Sequence, residues 1–448
     1  MAGSPYALVG RPMAATLFLR PAGPVTAAAF LHDAHAAAAA LPGGGHMVNL
    51  CRDRYAFAVA FAAALLRGQI CLSLGETSAA MLAALAAQFP GCHAATDDPD
   101  TASAPLPATL IRPSGRHAGP PPANPVIPPQ QPAAIVFTSG STGAPMAHRK
   151  LWGALADRSR AAGERFGLID SAPTTVVGTV PPQHMYGFET TVLLPLHAPA
   201  ASWCGPAFFP GDVQSALAQA PAPRLLVTTP LQMRALLHGT AGLPLEACIS
   251  ATAPLDPALA AEAESRWAAP VLEIFGATEC GSIASRRTIE GDAWTAYPGV
   301  VLHRDADTTT ATADWAEPVA LADELEPLGP GVFRLLGRRT DLVKMGGRRA
   351  SLVGLNRILT GLDGVADGTF VVPDDLEQRT NARLLAVVVA PGRSSYSILA
   401  ELRRRVDPLF LPRRVIRVPA LPRNEFGKLP RQALLALLAQ MGAPQDPA

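Results

Sequence analysis

The sequence predicts a layered α/β fold with mostly parallel sheets, followed by a small α+β unit. Three observations carry the prediction. Between Ala133 and Phe275, short apolar runs of strand length alternate with helix-length segments, the pattern of stacked α/β layers. Beyond Gly337 the texture changes to a compact series of helices and strands, long enough for a domain of its own. Apolar residues make up 49% of the 448 and charged residues 16%, which supports large buried cores and excludes a disordered chain. The boundary is expected at 338/339.

In order along the chain, residues 24–40 and 76–88 read as alanine-rich helices. Glu76 begins the second and Pro90-Gly91 ends it. Residues 55–67 are apolar on all sides and read as a buried helix. Residues 97–132 are rich in proline and read as an extended connector over the surface. Ala133 to Phe137 is a buried strand. Strands follow at 174–180, 224–229, 247–251 and 270–275, with helices at 150–163, 187–197, 230–238 and 256–267. Gly331 to Leu336 is a strand, and Gly337 to Asp341 a polar turn. The small unit reads as helix 351–361, strands 368–373 and 383–390, helix 394–405, strand 414–419 and helix 430–440. There is no internal repeat.

Several function classes recede on composition. A net charge of +1 gives no global pull towards nucleic acid or membrane. The longest apolar run, Tyr55 to Leu66, is too short to span a bilayer. Arg11 and Arg20 interrupt the N-terminal apolar stretches, so no signal-peptide pattern forms. Six scattered cysteines show no C-x-x-C and no metal spacing, which reads as reduced thiols in a cytoplasmic protein.

The chain is organised around Thr138-Ser139-Gly140-Ser141-Thr142-Gly143-Ala144-Pro145. Its glycines allow close backbone approach to a ligand, and its N–H groups and hydroxyls can wrap phosphate oxygens. The spacing is not that of a Walker A loop, and Met146 stands where a lysine is sought. A plain Ser/Gly turn is the alternative for this stretch alone. Only three of the 37 basic residues are lysines: Lys150, Lys344 and Lys428. Where arginine is the default cation, a lysine offers a compact charge that a guanidinium cannot reproduce. Phe275-Gly276-Ala277-Thr278-Glu279 places a hydroxyl and a carboxylate at a strand end, where they can meet a phosphate and its Mg²⁺; a helix N-cap explains the pair equally well. Asp323 can accept from ribose hydroxyls or lie solvated on a loop.

Together, the order and spacing of these motifs resemble the adenylate-forming superfamily of acyl-CoA synthetases, peptide-synthetase adenylation domains and luciferases. The resemblance rests on Thr138–Pro145, Phe275–Glu279, Asp323, the G-R-x-x-D-x-x-K segment Gly337–Lys344 and the Gly427-Lys428 pair, and covers roughly residues 130–440. The Thr-Gly that precedes the family's aspartate is here Leu321-Ala322, and the region before 130 is shorter than usual. A narrower likeness joins His148–Gly153, Pro181–Gly187 and Arg349–Asn356 to the stand-alone AMP ligases of aryl polyene pigment pathways.

The resemblance implies ATP and Mg²⁺ as cofactors and a small carboxylic acid as substrate. The acid would be aromatic and hydroxybenzoate-like. It would form an acyl-AMP and then a thioester on an acyl carrier protein with its phosphopantetheine, or on CoA. Lys428 would steady charge at the α-phosphate. Thr138, Ser139, Gly140, Ser141, Thr142 and Gly143 would hold phosphates, Thr278 would contact the α-phosphate and Glu279 the metal. Phe275 and Gly276 would face adenine, and Asp323 and Arg338 the ribose. His184, Tyr186, Gly187, Ser250, Ala251, Thr252 and Ala277 would line the acyl pocket, with His184 also readable as a core histidine. Arg339, Thr340 and Asp341 would form a hinge, and Lys344, Gly346 and Gly347 the thiolation segment. Two other readings are a medium- or long-chain acyl-CoA synthetase and a non-catalytic nucleotide or acyl-adenylate binder, the latter favoured by Met146. Residues 401–431 carry nine cations against three anions, which reads as a solvated face or a docking surface for an acidic carrier.

Overall fold

The computed structural model describes residues 6–441 except 75–77, 104, 118, 139–145, 169–171, 240–241, 306–307, 314–315, 339–341, 346–347, 373–382 and 424–428. At Ala102, Ser103, Thr138, Asp305, Ala316, Glu317, Arg338, Leu342, Lys344 and Arg349 only the backbone is described. By contacts the chain divides into residues 1–302 with 311–319, and residues 303–310 with 320–448.

The first unit is built mainly on two large sheets. One is six-stranded, in the order Ala108–Leu110, His93–Thr96, His46–Asn49, Ile70–Ser73, Pro132–Thr138, Met146–Leu151. Its pairs are parallel except the last, where Pro132–Thr138 runs antiparallel to Met146–Leu151. The other sheet is built on parallel strands Thr16–Arg20, Ala200–Trp203, Thr174–Gly178, Arg224–Thr228, Ala247–Ser250 and Val271–Ala277. Antiparallel neighbours flank it: Gly23–Thr26 at one end, Gly281–Arg287 and then Ala293–Ala296 at the other.

Helix Arg54–Leu66 packs on strands of the six-stranded sheet, on helix Ala27–Ala40 and on segment Glu189–Leu193. Every residue from Arg54 to Leu65 is buried, as its all-round apolar sequence requires. Asp53 caps it by accepting from the Ala56 N–H at 2.8 Å. The helix read from residue 24 starts at Ala27 instead. Pro24 and the β-branched Val25 and Thr26 lie in an edge strand, and Thr26 caps the helix. The second alanine helix is Ala79–Gln88, capped by Ser78; Glu76, its expected start, lies outside the described residues.

The helix expected over 150–163 is Trp152–Arg165, because Lys150 and Leu151 complete a strand. The segment expected as helix 187–197 runs Met185–His197 and opens into a π-type turn over Glu189–Leu193. The proline-rich stretch is not purely a surface run. Ala108–Leu110 joins the sheet, and Leu106, Ile111 and Ile127 are buried.

In the second unit, Asp323–Gly329 pairs with Val332–Arg338 and Leu342–Met345 with Arg348–Ser351. A three-stranded sheet orders Asp367–Val371, Leu385–Val389 and Arg414–Arg417. Helices Leu352–Thr360 and Ser395–Arg405 share a core with it, which includes Leu359, Val388 and Leu402. Helix Arg431–Gln440 closes the series through Leu434 and Leu438. Among the described residues no helix is long and apolar enough to cross a membrane, and all six cysteines are free thiols.

Candidate active site

The expected site segments of the first unit gather along one edge of its larger sheet. His184–Gly187, Ser250–Thr252 and Thr278–Glu279 each follow a strand of the same parallel set. The carboxyl ends of parallel strands are where open α/β sheets bind ligands. Thr138 ends its own strand, and Ser139, Gly140, Ser141, Thr142 and Gly143, expected to hold phosphates, lie outside the described residues.

Thr278 and Glu279 sit in the turn of a hairpin, Val271–Ala277 with Gly281–Arg287, rather than at a helix N-cap. A register shift after Phe275 and the glycines around the turn make it tight. A Cβ at Gly276 would collide with the Gly281 carbonyl, and Gly281 itself has φ +71°. Ala277, Thr278 and Glu279 are half-buried and Gly276 is exposed. Phe275 is buried, its ring 5.6 Å from that of Trp294.

Lys150 lies beneath this turn. Strand alternation puts Met146, His148 and Lys150 on one face. Met146 is 59% exposed, whereas Lys150 is 5% exposed and its Nζ donates to the Glu279 carbonyl at 2.7 Å. Burial, then the nearby Arg158, pushes the Lys150 ammonium down to about 8 against the opposing pull of Glu189, Cys280 and Glu279. Burial also lowers His148, with Glu279 opposing and Lys150 adding to the shift.

A second support was not legible beforehand. Arg158 and Glu189 form a buried ion pair at 3.2 Å. The Glu189 carboxylate also accepts from the Ser282 N–H at 3.2 Å and from the Ser282 hydroxyl. It therefore fixes the first residues of the return strand. Below it, Glu273 pairs with Arg286 at 2.7 Å and accepts from the Leu255 N–H at 2.8 Å. The available signal was Glu189, the one acidic residue in the segment read as helix 187–197, where a π-type turn lies over Glu189–Leu193.

Among the residues expected to line the acyl pocket, His184 caps helix Met185–Phe188, its Nδ1 accepting from the Tyr186 N–H at 3.4 Å, and is half-buried. Tyr186 is buried, and its hydroxyl donates to the carbonyls of Ile249 at 2.9 Å and Thr228 at 3.2 Å. It therefore ties two strand ends together. Gly187 has no room for a Cβ beside the Pro181 carbonyl. Thr252 has φ +79°, a left-handed conformation that a β-branched residue rarely adopts. The Thr252 and Ser250 hydroxyls are buried without hydrogen-bond partners, and Ala251 is buried between them.

In the second unit, Asp323 and Arg338 are cross-strand partners in one hairpin, so the two expected ribose contacts lie opposite each other. Asp323 is 9% exposed. Lys344 is placed in strand Leu342–Met345 by backbone alone. Arg339, Thr340, Asp341, Gly346, Gly347 and Lys428 lie outside the described residues.

Among the described residues no cluster of three or more His, Cys, Asp or Glu could hold a metal ion. Glu279, a single half-buried carboxylate beside a hydroxyl, fits a Mg²⁺ that arrives on nucleotide phosphates, since such an ion takes only one or two protein carboxylates.

A family profile described as AMP-binding enzyme matches residues 36–331. The chain is 31% identical over 274 residues to a 4-coumarate–CoA ligase of Rhodobacter capsulatus, covering 61% of this chain and 67% of that protein. Its fold is similar to ATP-bound MatB from Rhodopseudomonas palustris, at a TM-score of 0.80 and 20% identity over 96% of both chains. It is also similar to the O-succinylbenzoate coenzyme A synthetase MenE of Bacillus subtilis in complex with ATP and magnesium, at 0.78 and 16% over 94% of this chain and 96% of that one.

Proposed function

This chain belongs to the AMP-binding enzyme family, the adenylate-forming superfamily of acyl-CoA ligase type, and from that premise we propose that it converts a small carboxylic acid and ATP to an acyl-AMP and then to a thioester. In the first step a carboxylate oxygen bonds to the α-phosphorus and pyrophosphate leaves. In the second a thiolate bonds to the acyl carbon and AMP leaves. Neither step needs a protein nucleophile, so positioning and charge neutralisation carry the catalysis. The observation that carries the reading is the Thr278–Glu279 turn, set on the same sheet edge as the His184 and Ser250–Thr252 segments. Mg²⁺ bound at Glu279 would supply positive charge against the phosphates. Thr278 would donate to the α-phosphate, Asp323 and Arg338 would hold the ribose, and Lys428 would bridge the substrate carboxylate and the α-phosphate. The loop 138–143 would carry the outer phosphates.

The finer reading is an aromatic, hydroxybenzoate-like acid loaded onto an acyl carrier protein, as in aryl polyene ligases, in the cytoplasm. Two buried hydroxyls without partners, Ser250 and Thr252, support a polar group on the acid. The side chains of Arg403, Arg404, Arg405 and Arg414 are exposed in a segment rich in cations, which supports an acidic carrier. In this reading residues 339–448 form a lid that swivels at Arg339–Asp341, presenting Lys428 for adenylation and Lys344–Gly347 for thioester formation. The test compares thioester formation with a holo carrier protein and with free CoA, at low and high salt. A carrier ligase turns over the carrier far faster, with a salt-sensitive KM. Efficient turnover with CoA and none with any carrier would establish an acyl-CoA synthetase instead.

A further inference from the structure

We infer that Lys150 is a positioning residue that holds the Glu279 carboxylate in place for the metal–nucleotide complex. The inference rests on the adenylation reading above. A lysine this buried is rare, because desolvating an ammonium is costly without a partner. Here the partner is not a carboxylate: Nζ donates to the backbone carbonyl of Glu279. The buried acid whose charge acts on it, Glu189, is already engaged by Arg158 and Ser282. A neutral donor could satisfy the carbonyl at lower cost, so folding alone does not account for a cation at this place.

The location supplies the account. Lys150 is on the strand that leaves the phosphate loop, four residues after Met146, or about 13 Å along the strand. That is too far along for its ammonium to stand in for a lysine at Met146, and Nζ is directed to the turn. One strand thus leads from the loop expected to hold phosphates and clamps the turn expected to hold their metal. The turn needs the clamp. Residues 278–280 lie outside the ladder of strand pairs, between a register shift and a glycine in left-handed conformation. Ser282, two residues after the turn, is anchored by Glu189. The Lys150 bond anchors the turn itself, on the residue whose side chain would meet the metal.

The test is equilibrium binding of a non-hydrolysable ATP analogue, with and without Mg²⁺, to the full chain. It uses wild type, Lys150→Met, Glu279→Gln and the double variant, each with its melting temperature. In wild type Mg²⁺ tightens binding. Lys150→Met loses about tenfold to a hundredfold of the Mg²⁺-dependent affinity, the worth of a charge-assisted hydrogen bond, and little of the Mg²⁺-free affinity. The double variant binds no worse than Glu279→Gln, because both changes remove the same interaction. If Lys150→Met does not fold, Lys150→Gln, which keeps a neutral donor to the carbonyl, takes its place with a smaller loss confined to the same Mg²⁺-dependent affinity. Loss that is equal with and without Mg²⁺, or that adds to that of Glu279→Gln, overturns the positioning role and leaves the adenylation reading standing. Absence of any Mg²⁺-dependent binding in wild type overturns both.

Discussion

Hairpin Val271–Arg287 and helix Ser395–Arg405 both carry arginine–glutamate pairs, and they use them oppositely. In the first, the Glu273 and Arg286 side chains are 5% and 10% exposed, and the adjoining Glu189 and Arg158 are 9% and 6% exposed. In the second, Arg405 pairs with Glu401 at 2.8 Å while remaining 51% exposed. Buried pairs cost desolvation and return geometry, and losing one partner leaves a stranded charge. Exposed pairs return little stability and leave charge available to a partner in solution. The large unit spends charge on holding a turn, and the small unit displays it.

The largest effect expected from this contrast is on stability. Arg158→Met strands Glu189 in the core and should cost about 3–5 kcal/mol in urea unfolding. A cost below ~1 kcal/mol would mean the pair is not buried as described. Next is Lys428→Ala, which removes one cation from the adenylation step; acyl-AMP formation should fall about 10²–10³-fold while ATP still binds. An unchanged rate would remove Lys428 from the mechanism.

A third expectation concerns pH in the large unit. His197 is buried with neither ring nitrogen hydrogen-bonded, beside Trp152 at 5.2 Å. Burial, with Arg160 adding to it, pulls its pKa down to about 3 from the usual ~6.5. Below pH ~6.5 the unfolded chain takes up a proton that the folded chain refuses, so stability falls as pH drops towards ~3. Urea melts from pH 7 to 4 should show a shallower loss for His197→Leu than for wild type; an unchanged slope would remove His197 from the account. Smallest is the display surface. Arg405→Ala should change stability by only about 0.3–0.5 kcal/mol, and Arg403→Glu with Arg404→Glu should raise the KM for a carrier protein while sparing acyl-AMP formation. Equal loss in both half-reactions would argue against docking.

The same contrast explains what the sequence could reveal. Helix Arg54–Leu66 and strand Pro132–Thr138 announce themselves by continuous apolar composition, and the small unit's helices and strands appear in the expected order. The four-residue strands His46–Asn49, Ile70–Ser73 and His93–Thr96 are too short to show a period, and only pairing makes them strands. Asp323 and Arg338 stood out in the sequence as expected ribose contacts, but their cross-strand pairing did not. The contact of Lys150 with Glu279 spans 129 residues of sequence; lysine scarcity marked the residue, yet only the fold supplies its partner. The Thr278–Glu279 pair was ambiguous as structure, because a hydroxyl followed by an acid suits a helix cap as well as the hairpin turn it occupies.

The adenylation claim is tested most directly by acid-dependent pyrophosphate release from ATP. The full chain would be given Mg²⁺ and a panel of benzoates, cinnamates and fatty acids. The account predicts release that requires an acid and is fastest with a hydroxylated aromatic one. Nucleotide binding without release for any acid on the panel would contradict it and make this chain a nucleotide-binding protein on a ligase scaffold.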